Sequence, residues 1–198
     1  MNFRFDFHKT LQASGVLLSF DANRMAYVRL LKLLYIADRE WLAEAGRTIT
    51  GDEAIAMKNG PVLSRVYDLI KGVAPRADDW NDYIRKVDYS VELRKDPGRG
   101  KLSKGEIEKL TEVAERYRAM DDWELSEHTH EFPEWRNHYR PDASTPIPWQ
   151  EMLQAQGKAD LNRDRRAGRG GPSVPRLPLR GVSREARRHV HTQGQGRR

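Results

Sequence analysis

Apolar residues recur along most of this chain at helical spacing. The clearest case runs from Ala22 to Ala45, where Val28, Leu31, Leu34, Tyr35, Trp41 and Leu42 fall three or four residues apart. Asp21 is placed to cap this helix through its short carboxylate, and Gly46 is a natural C-terminal stop. Before it, Phe3, Phe7, Leu11, Leu17 and Leu18 predict a first helix over Phe3–Phe20, weakened by Gly15. Asp52–Lys58 alternates weakly and ends in Asn59-Gly60-Pro61, which reads as a short strand and a tight turn. Pro61 then suits the first turn of a helix with Val62, Val66, Leu69 and Ile70 on its apolar face and Gly72 at its end.

Val73–Asp82 reads as a polar loop. Over Tyr83–Lys95, Ile84, Val87, Tyr89, Val91 and Leu93 alternate with charged residues, predicting one or two strands before a turn at Asp96–Lys101. Ser103 with Glu106 forms a capping-box signature, followed by Ile107, Leu110, Val113, Ala114 and Tyr117 at helical spacing. Asp121–Glu131 and Pro133–His138 read as two further short helices, and Ile147–Leu153 as the last apolar anchor. The fold class expected is mainly α (α+β): a compact helical domain with a small antiparallel β-sheet, then a disordered basic tail.

Charge sharpens that division. The chain has 198 residues with 35 Lys/Arg against 29 Asp/Glu, and a sequence pI of 9.6. Lys158–Arg198 holds 12 of the basic residues and 3 of the acidic ones, a net of +9. Met1–Gly157 is left with 23 and 26, a net of −3, so the high pI belongs to the tail. The boundary is accordingly expected between a domain at 1–157 and a tail at 158–198. Leu161–Arg198 is rich in Arg, Gly and Pro and has too few large apolar residues to offset the entropy of ordering. One lysine, Lys158, among the many arginines of Lys158–Arg198 is also what an unselected reading frame of GC-rich DNA encodes.

Chemistry is sparse. With no cysteine, thiolate catalysis, disulfides and cysteine-ligated metal are excluded, and a cytoplasmic location is expected. Met1–His8 alternates Phe with charged residues and has no apolar stretch of signal-peptide length, and no run is long enough to span a membrane. There is no Gly-rich phosphate loop, no nucleophile elbow and no evident carboxylate pair, so no enzyme and no cofactor is expected. His128, His130 and His138 with Glu127 and Glu131 are the cluster most like metal ligands, but an i, i+2 histidine pair does not share one helix face. Asp38 lies on the apolar stripe of the main helix, where a carboxylate must find a partner. A structural ion pair or helix-edge position is the plainer reading, and a polar spot in a binding groove the functional one. The arginine blocks Arg163–Arg166, Arg184–Arg188 and Arg197-Arg198 could touch phosphates without reading sequence. No aromatic residue lies among them to stack on bases, so weak nucleic-acid contact is the most they imply.

Four blocks occur in order: Leu30–Asp38 (LLKLLYIAD), Gly46–Asp52 (GRTITGD), Ala56–Val62 (AMKNGPV) followed by VYDL at Val66–Leu69, and Trp123–Trp135 (WELSEHTHEFPEW). Together they resemble the Panacea domain of the SocA-like antitoxins, over roughly Phe7 to Leu153. The positions that match the family motif are Lys32, Tyr35, Asp38, Gly51, Asp52, Met57, Gly60, Pro61, Val62, Tyr67, Leu125, Ser126, His130, Pro133 and Trp135. The resemblance implies a helical domain with a small sheet, encoded beside a toxin in bacteria or their mobile elements, and no catalytic residues. It implies a cognate toxin as partner, neutralised by direct contact. One branch of the family instead hands the toxin to a AAA+ protease. A DNA-binding regulator of its own operon is a further alternative, against which the acidic body argues. The contact surface is expected around the main helix and Asn59–Val62, with Tyr35, Trp41 or Tyr67 as aromatic anchors if exposed. The basic tail departs from the family pattern, which ends near Trp149–Leu153.

Overall fold

The computed structural model describes residues 3–158. The tail expected from Lys158 onward lies, but for that residue, outside the described part.

At the centre stands α2 (Tyr27–Ala45), stopped by Gly46 in the left-handed conformation as the sequence predicts. Every residue from Leu30 to Asp38 is buried, so this helix is enclosed on all sides instead of presenting one apolar stripe. It packs against α1 (Phe7–Ser19), α5 (Lys104–Arg116) and α6 (Asp122–His130). A bridge of charges joins α2 to α5: Lys109 Nζ meets Glu40 and Glu44 at 3.2 and 2.7 Å, and Arg116 also reaches Glu40.

The N-terminal helix begins later than its apolar spacing suggests. Residues 3–6 are extended, with Phe3 and Phe5 turned inward and Arg4 and Asp6 outward, and Asp6 caps α1 by accepting the Lys9 amide at 3.0 Å. Gly15 marks a close approach: a Cβ there would sit 2.7 Å from the Pro97 ring. Asp21 is not the cap of α2. Ala22 and Asn23 take positive φ in a turn, and strand β1 (Arg24–Ala26) intervenes before the helix starts.

The structure has two three-stranded antiparallel sheets where one was expected. The first has the order β1-β5-β4 and is formed around the hairpin of β4 (Ile84–Val87) and β5 (Ser90–Leu93). The second, β3-β2-β6, joins β2 (Ala54–Met57) and β3 (Gly60–Leu63) to β6 (Thr145–Ile147). Pro61 therefore lies in a strand, and α3 starts only at Ser64 and runs to Lys71. Proline is tolerated because β3 is an edge strand and because of its register. The two-residue turn makes Met57–Gly60 a hydrogen-bonded pair, leaving Ala56–Pro61 as a non-bonded pair. The missing N–H of Pro61 thus costs no ladder bond, and its carbonyl faces away from β2.

Within the expected loop Val73–Asp82, a short helix α4 (Ala77–Asn81) buries Trp80 completely. The capping box of Ser103 and Glu106 opens α5 as the sequence predicts, and Asp121 with Glu124 forms a second one at α6. Two last helices, α7 (Pro133–His138) and α8 (Trp149–Ala155), flank β6.

Candidate functional site

Seven of the motif positions meet at the β2–β3 turn. Lys32, enclosed in the middle of α2, donates from Nζ to the free carbonyl of Pro61 at 2.9 Å. Ser126 Oγ on α6 donates to the Asn59 carbonyl at 2.8 Å, and Trp135 Nε1 on α7 donates to the Met57 carbonyl at 3.0 Å. His130 stacks on Trp135 with ring centroids 4.2 Å apart. Gly60, at φ +94°, lies so close that a Cβ would stand 2.4 Å from Thr129 Oγ1 and 2.6 Å from Lys32 Nζ. Three elements thereby hold one hairpin turn by its carbonyls, through a lysine, a serine and a tryptophan set around the Gly60-Pro61 pair. Burial pushes the Lys32 ammonium down to about 7, with no carboxylate beside it to offset the loss of water. His130 is likewise held below its ordinary value by burial.

A second group organises the connection from α2 to β2. Asp38 is buried, and instead of an ion pair it accepts the amides of Ile49 and Thr50 at 2.8 and 3.0 Å together with the Thr50 hydroxyl. Burial pushes its carboxyl up to about 7 against those hydrogen bonds. It is a brace for a loop and not a polar spot in a groove. Gly51 (φ +70°) is pressed against the N-terminal segment: a Cβ would stand 2.2 Å from the Arg4 carbonyl oxygen. Asp52 accepts the amides of Arg65 and Val66 at 3.2 and 3.0 Å, serving as the N-terminal cap that α3 lacks in its own sequence.

The remaining motif positions fall in the core or near it. Leu125 and Val62 are buried, Pro133 opens α7, and Tyr67 is half-buried on α3 under the Lys71 ammonium, 4.9 Å from its ring centroid. Tyr35 is fully buried and donates to Glu134 Oε1 at 3.0 Å, so it is not a surface anchor. Glu134 in turn pairs with Arg39, whose guanidinium lies 4.3 Å from the Phe132 ring centroid. Trp41 is also half-covered, with its ring against Gly105. The large apolar side chains most exposed to solvent are instead Tyr89, Trp123 and Val73; the alternation counts Tyr89 among the apolar strand positions, but it lies in the turn between β4 and β5. The three histidines diverge to separate partners: His128 to Tyr117, His130 to Glu127 and His138 to Glu151. Sequence reasoning misses Glu134, Arg39, Thr50 and Thr129, because nothing local marks a polar residue that will be buried by another element.

Two cavities flank the extended N-terminal segment. One, of about 800 Å³, opens between Arg4–Phe5 and the α3–α4 connection at Val73–Arg76. The other, of about 710 Å³, also borders Arg4–Phe5 and is lined by Asp52 and Trp149. Among the described residues no helix is long and apolar enough to cross a membrane.

Most of the motif positions thus brace turns and caps of a small helical domain. Residues 30–136 match the model of the SocA-like antitoxin family, the Panacea domain, and with more than half of the sequence matched the chain belongs to that family. Neither a curated protein nor a solved structure matches it.

Proposed function

We propose that the protein neutralises a cognate toxin by binding it directly, as the antitoxin of a type II toxin–antitoxin pair. Membership of the SocA-like family carries this reading. The use of the motif residues supports it. Lys32, Asp38, Gly51, Asp52, Gly60, Ser126 and Trp135 hold turns and caps, so the exposed surface is free to vary with the toxin while the scaffold stays constant. The test is co-expression with the gene beside it. Growth rescue together with co-purification of the two proteins is the expected result, and a harmless neighbour or the absence of a complex refutes it. A fall in toxin level on co-expression, lost when the chain ends at Gly157, would instead assign the adaptor role, with the toxin passed to a AAA+ protease.

A further inference from the structure

We propose that the outward face of the β1-β5-β4 sheet, with the clefts at its two ends, binds single-stranded nucleic acid. This role is separate from toxin neutralisation. Charge is unevenly divided within the body. Tyr83–Lys104 holds 7 Lys/Arg and 3 Asp/Glu, a net of +4, whereas the rest of Met1–Gly157 holds 16 and 23, a net of −7. The acidic body therefore has a basic pole, and the fold gathers it on one surface.

Register sets Arg24, Glu92 and Arg85 side by side on the outward face, opposite the buried Met25 and Val91. Glu92 is shared between Arg24 at 3.1 Å and Arg94 at 3.7 Å. Arg85 continues into a cleft of about 500 Å³, which it lines with Lys71 and Lys86 against one carboxylate, Asp82. Arg94 continues into another, of about 300 Å³, lined with Lys95 and Arg99 against Asp96, whose carboxylate accepts the Gly98 amide at 2.8 Å. With Asp88 at the hairpin tip also counted, seven cations stand against four carboxylates along this track. Among the described residues Lys71, Arg85, Lys86, Lys95 and Arg99 have no carboxylate within ion-pair distance, and all five are exposed. The three lysines lie over tyrosine rings, 4.9 to 5.5 Å from the centroids, which orients the ammonium groups without neutralising them.

Two features select nucleic acid over an acidic protein. The apolar residues of the outward face are Ala26 and Val87, both half-buried, so it lacks the large side chains and the charge-poor centre of a protein interface. Nucleic-acid interfaces are dominated by positive charge instead. The second feature is Tyr89, 81% exposed in the turn that joins β4 to β5 beside the track. An exposed ring of this kind is a platform for a base, and bases are free to stack on it in a single strand but not within a duplex.

The test uses the full chain and the fluorescence anisotropy of a labelled DNA strand, alone and annealed to its complement. Thermal melting monitors folding. The strand should bind more tightly than the duplex. Arg85→Gln with Arg99→Gln, one unpaired cation from each cleft, should weaken strand binding by about tenfold and lower the slope of log Kd against log salt by about 0.7 for each arginine removed. Tyr89→Ala should weaken it by about fivefold or more, with Tyr89→Phe retaining the wild-type value. Lys58→Gln, an exposed cation outside the track, should change it by no more than about twofold, all with unaltered melting. Binding that survives Arg85→Gln with Arg99→Gln but is lost when Arg163, Arg165 and Arg166 are replaced by Gln would belong to the C-terminal segment and overturn the proposal. So would a wild-type chain that binds no strand, or one that binds the duplex equally and ignores Tyr89→Ala. Weakened toxin binding by the same arginine variants, without strand binding by the wild type, would mark the face as a protein interface and overturn it as well.

Discussion

Replacing Lys32 with methionine separates two opposed contributions of one buried ammonium. Burial places the folded-state pKa at about 7 against an ordinary 10.5. The unfolded chain therefore binds more protons than the folded one between those values, and stability rises with pH through that window. The cost of holding the group buried is on the order of 4 to 5 kcal/mol at pH 7 and below, falling to about 1 kcal/mol near pH 10. Against it stands the hydrogen bond to Pro61, whose carbonyl points away from its own sheet and would be left buried without a donor. An orphaned acceptor of that kind costs about 1 to 3 kcal/mol. Lys32→Met should consequently be more stable than the wild type by roughly 2 kcal/mol at pH 6.5, and less stable by about 1 kcal/mol near pH 10. Urea unfolding of both proteins at four pH values between 6.5 and 10 measures the difference, with equal m-values as the check on a common unfolded state. A difference that does not change across that window would refute the reasoning, because it would mean that the ammonium is as well solvated in the fold as outside it.

Three other substitutions address the same scaffold. Gly60→Ala combines positive φ with a Cβ 2.4 Å from Thr129 Oγ1, so it should cost more than about 2 kcal/mol in urea unfolding and expose the turn to hydrogen exchange. Asp52→Ala removes the acceptor for the Arg65 and Val66 amides and should cost about 1 to 2 kcal/mol, with Asp52→Asn retaining part of the cap. Glu134→Ala strands both the Arg39 guanidinium and the Tyr35 hydroxyl under cover, for an expected loss of about 3 kcal/mol or more by the same measurement. A loss under 1 kcal/mol would show that water replaces the carboxylate there.

Much of the fold is legible where neighbouring residues decide it. The capping box at Ser103 and the stop at Gly46 each depend on a few adjacent side chains and their φ preferences, and each stands where its residues predict; the tight turn falls one residue earlier than Asn59-Gly60, at Lys58-Asn59, with Gly60 opening β3. The alternation of Phe and charged residues at Phe3–His8 is equally plain, and the structure uses its first part, residues 3–6, as an extended segment with the Phe3 and Phe5 rings inward, whereas the apolar spacing to Leu11 and Leu17 predicts a helix from Phe3. Pro61 misleads for a related reason. Its fixed φ suits a helix start and an edge strand alike, and only pairing with Ala56 separates the two. β1 and α4 are too short to announce themselves: three residues of strand are recruited by β5, and Arg76 opens α4 from a left-handed conformation that its type does not favour.

For the candidate site, the residue types were visible and their partners were not. Lys32 reads only as a position of the family resemblance and Asp38 as a carboxylate on the apolar stripe of a helix, which states at most the problem of a buried charge without its solution. The solution comes from residues far along the chain, the Pro61 carbonyl for one and the Thr48–Gly51 loop for the other. The N-terminal segment and the α3–α4 connection likewise bring Arg4, Arg65 and Arg76 to one groove from three separate stretches of sequence. What the sequence by itself determined was the local geometry, the division of charge between body and tail, and the family. Which polar groups are buried, what satisfies them and which cations share a surface were decided by tertiary packing alone, since burial and proximity belong to the assembled elements and not to any one of them.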